Sequence, residues 1–195
     1  MNNLFPIFLK LEELQTLVVG GGAVGIEKLG AILANSPHAN VTVVAPEIRP
    51  EIVELTQNHA NVKLVYKSFD EIDLEGKDIV VAATCIKEVN AQVKQAAKQK
   101  KVLANIADTP DLCDFYLGSI VQKGDLKIAI STNGKSPTLA KRLREMFSEI
   151  IPEGTQNLLD NLKIVRDSLK GDFEYKVNKL NEITTVMRNK EGKTE

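Results

Sequence analysis

Hydrophobic and polar positions alternate in two rhythms over the first half of the chain. Short apolar runs, rich in β-branched residues, alternate with longer segments in which apolar residues recur at helical spacing. The predicted strands are residues 16–19, 41–44, 62–66, 78–83 and 101–106, and the predicted helices are residues 23–34, 46–57 and 89–97. This alternation predicts repeated βαβ units around a parallel sheet.

The rhythm changes in the second half. Two short apolar runs, 120–121 and 126–130, follow without a long helix between them. Ser136 and Pro137 then predict a helix start, because serine can accept hydrogen bonds from the free N–H groups of a first turn and proline fits there. Further amphipathic helices are predicted on either side of Gly171. Their apolar stripes need a surface on the chain's own sheet or on a second copy, so we expect a homodimer.

Composition and charge narrow the possible partners. The chain has 195 residues, of which 43% are hydrophobic, and its net charge is −1. These values are ordinary for a globular protein and give no support to nucleic-acid binding. Cys85 and Cys113 form no C-x-x-C motif, which favours a reduced compartment over a disulfide scaffold or a thiolate zinc site. No secretory signal and no apolar run of about 18 residues is found, so we predict a cytoplasmic protein without a membrane partner.

A glycine-rich segment directly follows the first predicted strand. Gly20, Gly22 and Gly25 have the G-x-G-x-x-G spacing. In such a turn the first glycine permits the tight bend, the second lets the backbone approach phosphates, and the third lets the helix pack closely on the strand. The N–H groups of the following helix then face the anion. The segment predicts a dinucleotide pyrophosphate site, and the alternative is a glycine turn used only for packing.

The end of the second strand bears on the choice of cofactor. The acidic residue that usually stands there and binds the ribose hydroxyls is missing, because the strand ends at Ala45 and Pro46 and the acid comes late, at Glu47. No basic residue occupies the strand end either, although Arg49 lies near. NAD is therefore favoured over NADP.

Two other strands end in polar residues at the same predicted edge. Asp108 follows the fifth strand, where its carboxylate could accept a proton or bind a metal near a cofactor ring. The alternative is a loop or helix-cap aspartate. Thr84 follows the fourth strand, where it could meet the nicotinamide ribose or serve as a cap. Asp111 and Asp114 are weaker candidates within a turn.

The polar loop 131–137 and the basic residues after it allow two interpretations each. Such a loop can bind carboxylates through its N–H groups and hydroxyls, or it can be a plain turn. Basic residues between Lys135 and Arg144 occur without an acid, which is typical of a solvated helix face or of a site for a polyanion. We assign no role to His38 or His59, and a packing role to Cys113.

An ordered series of segments resembles the precorrin-2 dehydrogenase family, which includes the N-terminal module of sirohaem synthase. These segments are residues 4–9, 18–25, 43–47, 82–84, 105–108, 110–115 and 129–140. The resemblance implies an α/β fold with a Rossmann-like parallel sheet, followed by a small dimerisation region and C-terminal helices. The corresponding division is an NAD-binding domain at 1–112, a dimerisation region at 113–150 and a helical segment at 151–195.

The resemblance also implies an activity, the NAD-dependent dehydrogenation of precorrin-2 to sirohydrochlorin, a step toward sirohaem. The family's catalytic aspartate falls on Asp108. The implied cofactor contacts are Gly20, Gly22, Ala23, Val24, Gly25, Pro46, Glu47, Ala83 and Thr84. Because precorrin-2 bears many carboxylates, we expect substrate contacts at Asn105, Ser131, Thr132, Lys135, Ser136 and Arg142. No residue is predicted to be a ligand of a bound metal.

The resemblance leaves some alternatives open. Some family members also insert ferrous iron, and here only Asp108 is an obvious carboxylate to accept the pyrrole protons. Gly25 departs from the family, which often has alanine there. A second hypothesis is a regulatory domain that senses NAD without chemistry, although such modules usually retain the acidic strand end. A third is a chelatase that has lost its dehydrogenase role.

Overall fold

A computed structural model describes residues 4–185. The strands are β1 Gln15–Val19, β2 Asn40–Ala45, β3 Val62–Tyr66, β4 Ile79–Ala82, β5 Leu103–Ile106, β6 Ser119–Lys123 and β7 Leu126–Ile130. The helices are α1 Ala23–Asn35, α2 Pro50–Thr56, α3 Lys87–Lys100, α4 Pro137–Ile150, α5 Thr155–Ser168 and α6 Phe173–Thr184, with 3-10 turns at Glu71–Leu74 and Pro110–Leu112. The part of the predicted segment 151–195 that follows residue 185 lies outside the described residues.

The first five strands form one parallel sheet in the order β3-β2-β1-β4-β5. The first strand therefore lies at the centre, paired with β2 on one side and β4 on the other. The chain winds outward from β1 in both directions, so the topological switch point of this doubly wound sheet lies between β1 and β4. The predicted fold class, α/β with a Rossmann-like parallel sheet, is confirmed.

Helices cover the central strands of this sheet on both faces. Leu17 and Val19 pack in one cluster with Val93 of α3, whereas Val18 packs in a second cluster with Leu29 of α1. Strands that are buried on both faces have near-continuous apolar runs, which explains why β1 and β4 lack the polar alternation of a half-exposed strand.

Two predicted helix boundaries are wrong. The helix after β2 was expected to open at Pro46 and Glu47, but α2 begins at Pro50 because Arg49 has an extended backbone and the second proline takes the first turn. The helix after β4 is longer than residues 89–97. It ends where Lys101 adopts a left-handed φ of 59°. The predicted helix is too short because the polar end residues are good helix formers but do not contribute to the apolar period.

The second half of the chain forms the predicted short strands and helices. Strands β6 and β7 make a two-stranded sheet, joined through Gly124, whose φ is +60°. Helix α4 starts as predicted, since the Ser136 hydroxyl oxygen accepts a hydrogen bond from the Leu139 N–H at 3.2 Å. None of the helices described between residues 4 and 185 is long and apolar enough to cross a membrane.

The described residues form two compact units. One contains residues 4–119 and 130–141, and with them the five-stranded sheet. The other contains residues 120–129 and 142–185, and with them α5 and α6. Among the described residues of this second unit, Val121 is the only buried apolar side chain. The division at residues 112 and 150 expected from the resemblance stays a prediction.

Candidate active site

The carboxyl ends of the parallel strands carry most of the predicted site residues. Val19 at the end of β1 is paired with Ala82 of β4, and Ala82 is paired with Ile106 of β5. The residues that follow these strand ends therefore meet at one edge of the sheet. Gly20, Ala83 and Asp108, taken from three different predicted segments, belong to this group, which lies at the switch point where doubly wound sheets bind ligands.

The glycines of the first turn differ in their surroundings. Gly20 has a φ of +130°, and a side chain there would overlap the carbonyl group of Ala83. A side chain at Gly25 would overlap the carbonyl oxygen of Gly20, so α1 can approach β1 only without it. Gly22 faces open space, with no heavy atom within 4 Å of where a Cβ would stand. The protein's own packing thus requires the first and third glycines, and the second leaves room above the turn.

Gly21 is a further constrained position that the motif did not single out. A side chain on Gly21 would overlap the backbone carbonyl of Glu47, and the Gly21 carbonyl accepts a hydrogen bond from the Arg49 N–H at 3.0 Å. This contact brings the exposed residues Pro46 and Glu47 beside the glycine turn. The only sequence signal for it is the unbroken run of three glycines.

The N-terminus of α1 offers free backbone donors. The first hydrogen bond inside the helix runs from the Ile26 N–H to the Gly22 carbonyl at 3.0 Å, so the N–H groups of Ala23, Val24 and Gly25 have no partner within the helix. No side chain caps this end, and no acidic residue lies in the first turn. Free N–H groups and the positive end of the helix dipole favour an anion here. Together with the open space at Gly22, they fit a dinucleotide pyrophosphate.

Thr84 has the capping interactions that were one of its two expected roles. Its hydroxyl lies 2.8 Å from Asn90 Oδ1 and accepts a hydrogen bond from the Ile86 N–H at 3.1 Å. The Asn90 amide in turn donates to the Thr84 carbonyl at 3.1 Å. This pair orders the start of α3. Asn90 is buried, but a polar residue within an amphipathic helix gave no signal in the sequence. A contact between Thr84 and the cofactor stays a prediction.

Asp108 lies at the tip of a tight turn at the end of β5. It has a φ of 57°, which is uncommon for any residue other than glycine. The preceding Ala107 is tied to the sheet through a hydrogen bond from its N–H to the Ala82 carbonyl at 2.9 Å. Asp108 is not a helix cap, because Thr109 precedes the next 3-10 turn and no N–H of that turn donates to the Asp108 carboxylate. A catalytic rather than a plain loop role for Asp108 stays a prediction. Within residues 4–185 the exposed Asp108 carboxylate has no hydrogen-bond or ion-pair partner.

The residues after Asp108 fold back along β5. Asn105 is buried and its amide donates to the Phe115 carbonyl at 2.8 Å, so part of this predicted substrate contact is used within the loop. Asp114 accepts hydrogen bonds from the Ala104 N–H at 2.9 Å and from the Lys94 ammonium at 2.6 Å. Partial burial raises the pKa of Asp114, but the two hydrogen-bond donors outweigh this effect and hold the pKa below its usual range. Asp114 is thereby a structural carboxylate.

The hydroxyls of the polar loop are engaged in the loop itself. Asn133 and Gly134 both have left-handed φ values, 54° and 73°. The Thr132 hydroxyl donates to the Ser136 carbonyl at 3.1 Å and accepts from the Ser136 N–H at 3.2 Å. The Ser131 hydroxyl oxygen accepts from the Asn133 N–H at 3.2 Å. The loop is therefore an ordered turn, and its contacts with a substrate stay predictions.

The two basic residues assigned to the substrate differ in their partners. Lys135 is exposed, and its ammonium has no partner within the described part of the chain. Arg142 belongs to the second compact unit, where its guanidinium pairs with Glu145 at 2.8 Å. The run of basic residues without an acid thus ends at Arg144, because the next residue is Glu145. Between residues 4 and 185, no group of three or more His, Cys, Asp or Glu side chains is arranged to hold a metal ion.

The strand order, the glycine turn and the free N–H groups of α1 define a dinucleotide-binding protein of the Rossmann type. The comparison with known proteins makes this more specific. The chain belongs to the putative NAD(P)-binding family, whose model matches residues 7–119. Residues 123–148 match the central family of sirohaem biosynthesis proteins.

Individual relatives agree with these families. The siroheme synthase of Methylococcus capsulatus is 42% identical over 147 residues, which are 75% of this chain and 30% of the relative. Siroheme synthase 3 of Aeromonas hydrophila is 41% identical over 168 residues, 86% of this chain and 35% of the relative. This chain therefore spans about a third of their length.

A solved structure of SirC, a precorrin-2 dehydrogenase, matches with a TM-score of 0.74 and 29% identity, covering 92% of this chain and 89% of that one. The resemblance drawn from the sequence is confirmed.

Proposed function

We propose that this chain oxidises precorrin-2 to sirohydrochlorin in sirohaem biosynthesis, with NAD as the hydride acceptor. One observation carries the proposal. The glycine turn with its free N–H groups and Asp108, an exposed carboxylate without a partner among the described residues, stand at the same edge of one sheet. The similarity to siroheme synthases and to SirC over most of the chain supports this substrate.

The chemistry requires two acceptors. Turning a carbon–carbon single bond into a double bond removes one hydride and one proton from the substrate. The nicotinamide ring of the bound cofactor supplies the hydride acceptor. We assign the second role to Asp108, whose carboxylate takes up the proton or orients the substrate so that the hydride leaves in the right direction.

We propose NAD rather than NADP as the cofactor. Glu47 stands beside the glycine turn with its side chain exposed, so its carboxylate is available to the ribose hydroxyls and would repel a 2′-phosphate. The exposed Arg49 nearby is the residue that would favour NADP. Comparing the Kd values of the two cofactors tests this choice, and an equal or tighter affinity for NADP would reverse it.

The substrate contacts follow from the charge of the tetrapyrrole. Lys135 offers an ammonium group that has no partner among the described residues, and Arg142 offers a guanidinium that pairs with Glu145. The N–H groups and hydroxyls of the loop that contains Ser131, Thr132 and Ser136 supply neutral donors. The last proposed contact is the amide oxygen of Asn105, which can accept a hydrogen bond from a pyrrole N–H, because the NH2 group donates to the Phe115 carbonyl at 2.8 Å and lies 3.6 Å from the Cys113 sulfur.

We propose that the protein is a homodimer and works in the cytoplasm. The second compact unit exposes large apolar side chains, of which Ile150 and Ile164 are each 65% exposed and Phe173 is 83% exposed. Among its described residues only Val121 is buried, so this unit has very little apolar core of its own. A second copy of the chain would cover these side chains.

The deciding experiment mixes the purified protein with precorrin-2 and NAD, and follows sirohydrochlorin and NADH by absorbance. We expect both products in equal amounts. NAD binding without turnover would favour the regulatory alternative, and no activity in correctly folded protein would remove the proposed function. Supplying sirohydrochlorin with ferrous ion, and omitting NAD, tests metal insertion separately, with ferrous ion as a substrate.

A further inference from the structure

The turn that carries Asp108 lies on an edge strand. Because β5 ends the sheet, the backbone groups on its outer side have no neighbouring strand. The backbone N–H groups of Leu103 and Ala107 face the neighbouring strand β4, since they donate to the carbonyls of residues 78 and 82. The backbone N–H and carbonyl groups of Ala104 and Ile106 therefore face the open side of β5, and they need partners other than a strand.

Two consecutive residues of the returning loop supply these partners. Asp114 binds both backbone groups of Ala104. The Ala104 N–H donates to the Asp114 carboxylate at 2.9 Å, and the Ala104 carbonyl accepts from the Asp114 N–H at 2.8 Å. The Cys113 side chain binds both backbone groups of Ile106. The Cys113 sulfur accepts a hydrogen bond from the Ile106 N–H at 3.2 Å, and the thiol donates to the Ile106 carbonyl at the same distance.

The same sulfur also reaches the other side of Asp108. The Thr109 carbonyl lies 3.5 Å from it and is a second acceptor for the thiol proton. Within the turn, the Thr109 N–H donates to the Ile106 carbonyl at 3.3 Å. One thiol thus contacts the backbone two residues before Asp108 and one residue after it. The Thr109 hydroxyl also bridges the turn, since it donates to the Ala107 carbonyl at 3.3 Å. Cys113 differs from it in that it reaches both sides of Asp108 from the returning loop.

We propose that Cys113 is a positioning residue for the proposed reaction, on whose correctness this inference rests. Its thiol fixes the backbone on both sides of Asp108 and thereby sets where the carboxylate stands at the sheet edge. Burial raises the pKa of the Cys113 thiol, although the hydrogen bond from Ile106 opposes this effect. The neutral S–H group that can donate is therefore the form present near neutral pH.

Other contacts hold the loop when the thiol is removed. Leu112 packs against the cluster on one face of the sheet, and Phe115 packs against the cluster on the other. The Asn105 amide and the Asp114 carboxylate still tie the loop to β5. Loss of the thiol should therefore loosen the turn at Asp108 while the loop keeps its path around the sheet edge.

The test compares Cys113→Ala, Cys113→Ser and the control Val93→Ala in the full chain. Val93 is buried in the same cluster but lies in α3, so its truncation lowers stability without touching the turn. We expect Cys113→Ala to lower kcat by about 10- to 100-fold with an unchanged KM for NAD, since small misplacements of a catalytic group have effects of this size. Cys113→Ser retains a donor and an acceptor on a shorter side chain and should recover part of the loss.

Hydrogen exchange of the Ile106 amide provides a readout that does not depend on turnover. Relative to the free energy of unfolding of each variant, it should become faster in Cys113→Ala and not in Val93→Ala. An Ile106 amide that exchanges at the wild-type rate in Cys113→Ala would overturn the proposal even if the wild type had no activity, and inactivity of the wild type would count only against the proposed function. A kcat that is unchanged in Cys113→Ala, or lowered equally in Val93→Ala, would also overturn it.

Discussion

Asp108 is the residue on which the proposed chemistry depends most directly. Its carboxylate is exposed at the carboxyl edge of the sheet and has no partner within residues 4–185. Asparagine has the same shape and tolerates a left-handed backbone, but it cannot take up a proton. We expect Asp108→Asn to lower kcat by about 10²- to 10⁴-fold, the range for loss of an acid–base group, with an unchanged Kd for NAD.

Steady-state kinetics and a cofactor titration measure these two quantities. Asp111→Asn is the matched control, because Asp111 lies in the adjacent 3-10 turn and has no assigned role. An Asp108→Asn enzyme with wild-type kcat, or an equal loss in the control, would exclude Asp108 as the proton acceptor.

The sequence predicts the candidate site residues that lie at strand ends, but not the residues that hold them in place. Gly20, Gly25 and Asp108 could be found because each follows an apolar run whose type and direction are predictable. Asn90 and Cys113 could not, because their roles consist of contacts with Thr84 and Ile106 that form only when the chain is folded. The substrate contacts are the least predictable, since the ordered turn already uses several of their polar groups.

At the scale of elements, the glycine turn offers a pair of substitutions with opposite expectations. An alanine at Gly25 would overlap the Gly20 carbonyl and push α1 away from β1, whereas an alanine at Gly22 would meet no atom of the protein. We expect Gly25→Ala to lower the free energy of unfolding by about 1–3 kcal/mol, as overpacking does, and to weaken cofactor binding.

Gly22→Ala should leave stability unchanged and weaken cofactor binding alone, because only the bound dinucleotide would occupy the space above it. Chemical denaturation and a cofactor titration on both variants measure the two effects. An undiminished affinity for NAD in Gly22→Ala would mean that the pyrophosphate does not approach this turn.

The contact between β5 and its covering loop predicts a dependence of stability on pH. The Lys94 ammonium and the Ala104 N–H hold the pKa of Asp114 below its usual range. A depressed pKa in the folded state stabilises the fold above the unfolded pKa, and this contribution is lost as the pH falls through the folded value. The stability lost by Asp114→Asn should therefore be largest at neutral pH and shrink below about pH 4.

Urea denaturation of wild type and variant across this pH range measures the difference. Asp125→Asn is a suitable comparison, because Asp125 lies in the other compact unit and its carboxylate accepts a hydrogen bond from the neutral Gln156 amide at 3.1 Å. A difference between wild type and Asp114→Asn that stays constant with pH would contradict the assignment.

At the scale of the whole molecule, the exposed apolar residues of the second compact unit predict self-association. Ile150 is 65% exposed at the end of α4, and a charge there would have to be buried in any interface that covers it. We expect wild type to sediment as a dimer whose Tm rises with protein concentration, and Ile150→Glu to shift the equilibrium toward monomer.

Ile72→Glu is the control, since Ile72 is 59% exposed in the first compact unit, within the 3-10 turn Glu71–Leu74. A wild type that sediments as a monomer at every concentration would refute the proposed dimer. The start of α4 is predictable from Ser136 and Pro137, and the helices of the second compact unit are predictable from their apolar period. The surface that covers these helices is not, because an amphipathic stripe reveals that a partner is needed without identifying it.

The left-handed backbone at Asp108 sets stability and activity against each other. An L-residue in this conformation carries strain of about 1–2 kcal/mol, which glycine avoids. Asp108→Gly should therefore be more stable than Asp108→Ala, while both should lose the proposed proton acceptor. Selection for thermal stability alone would favour glycine at this position. A library screened only for folding would therefore enrich stable proteins that lack the proposed proton acceptor.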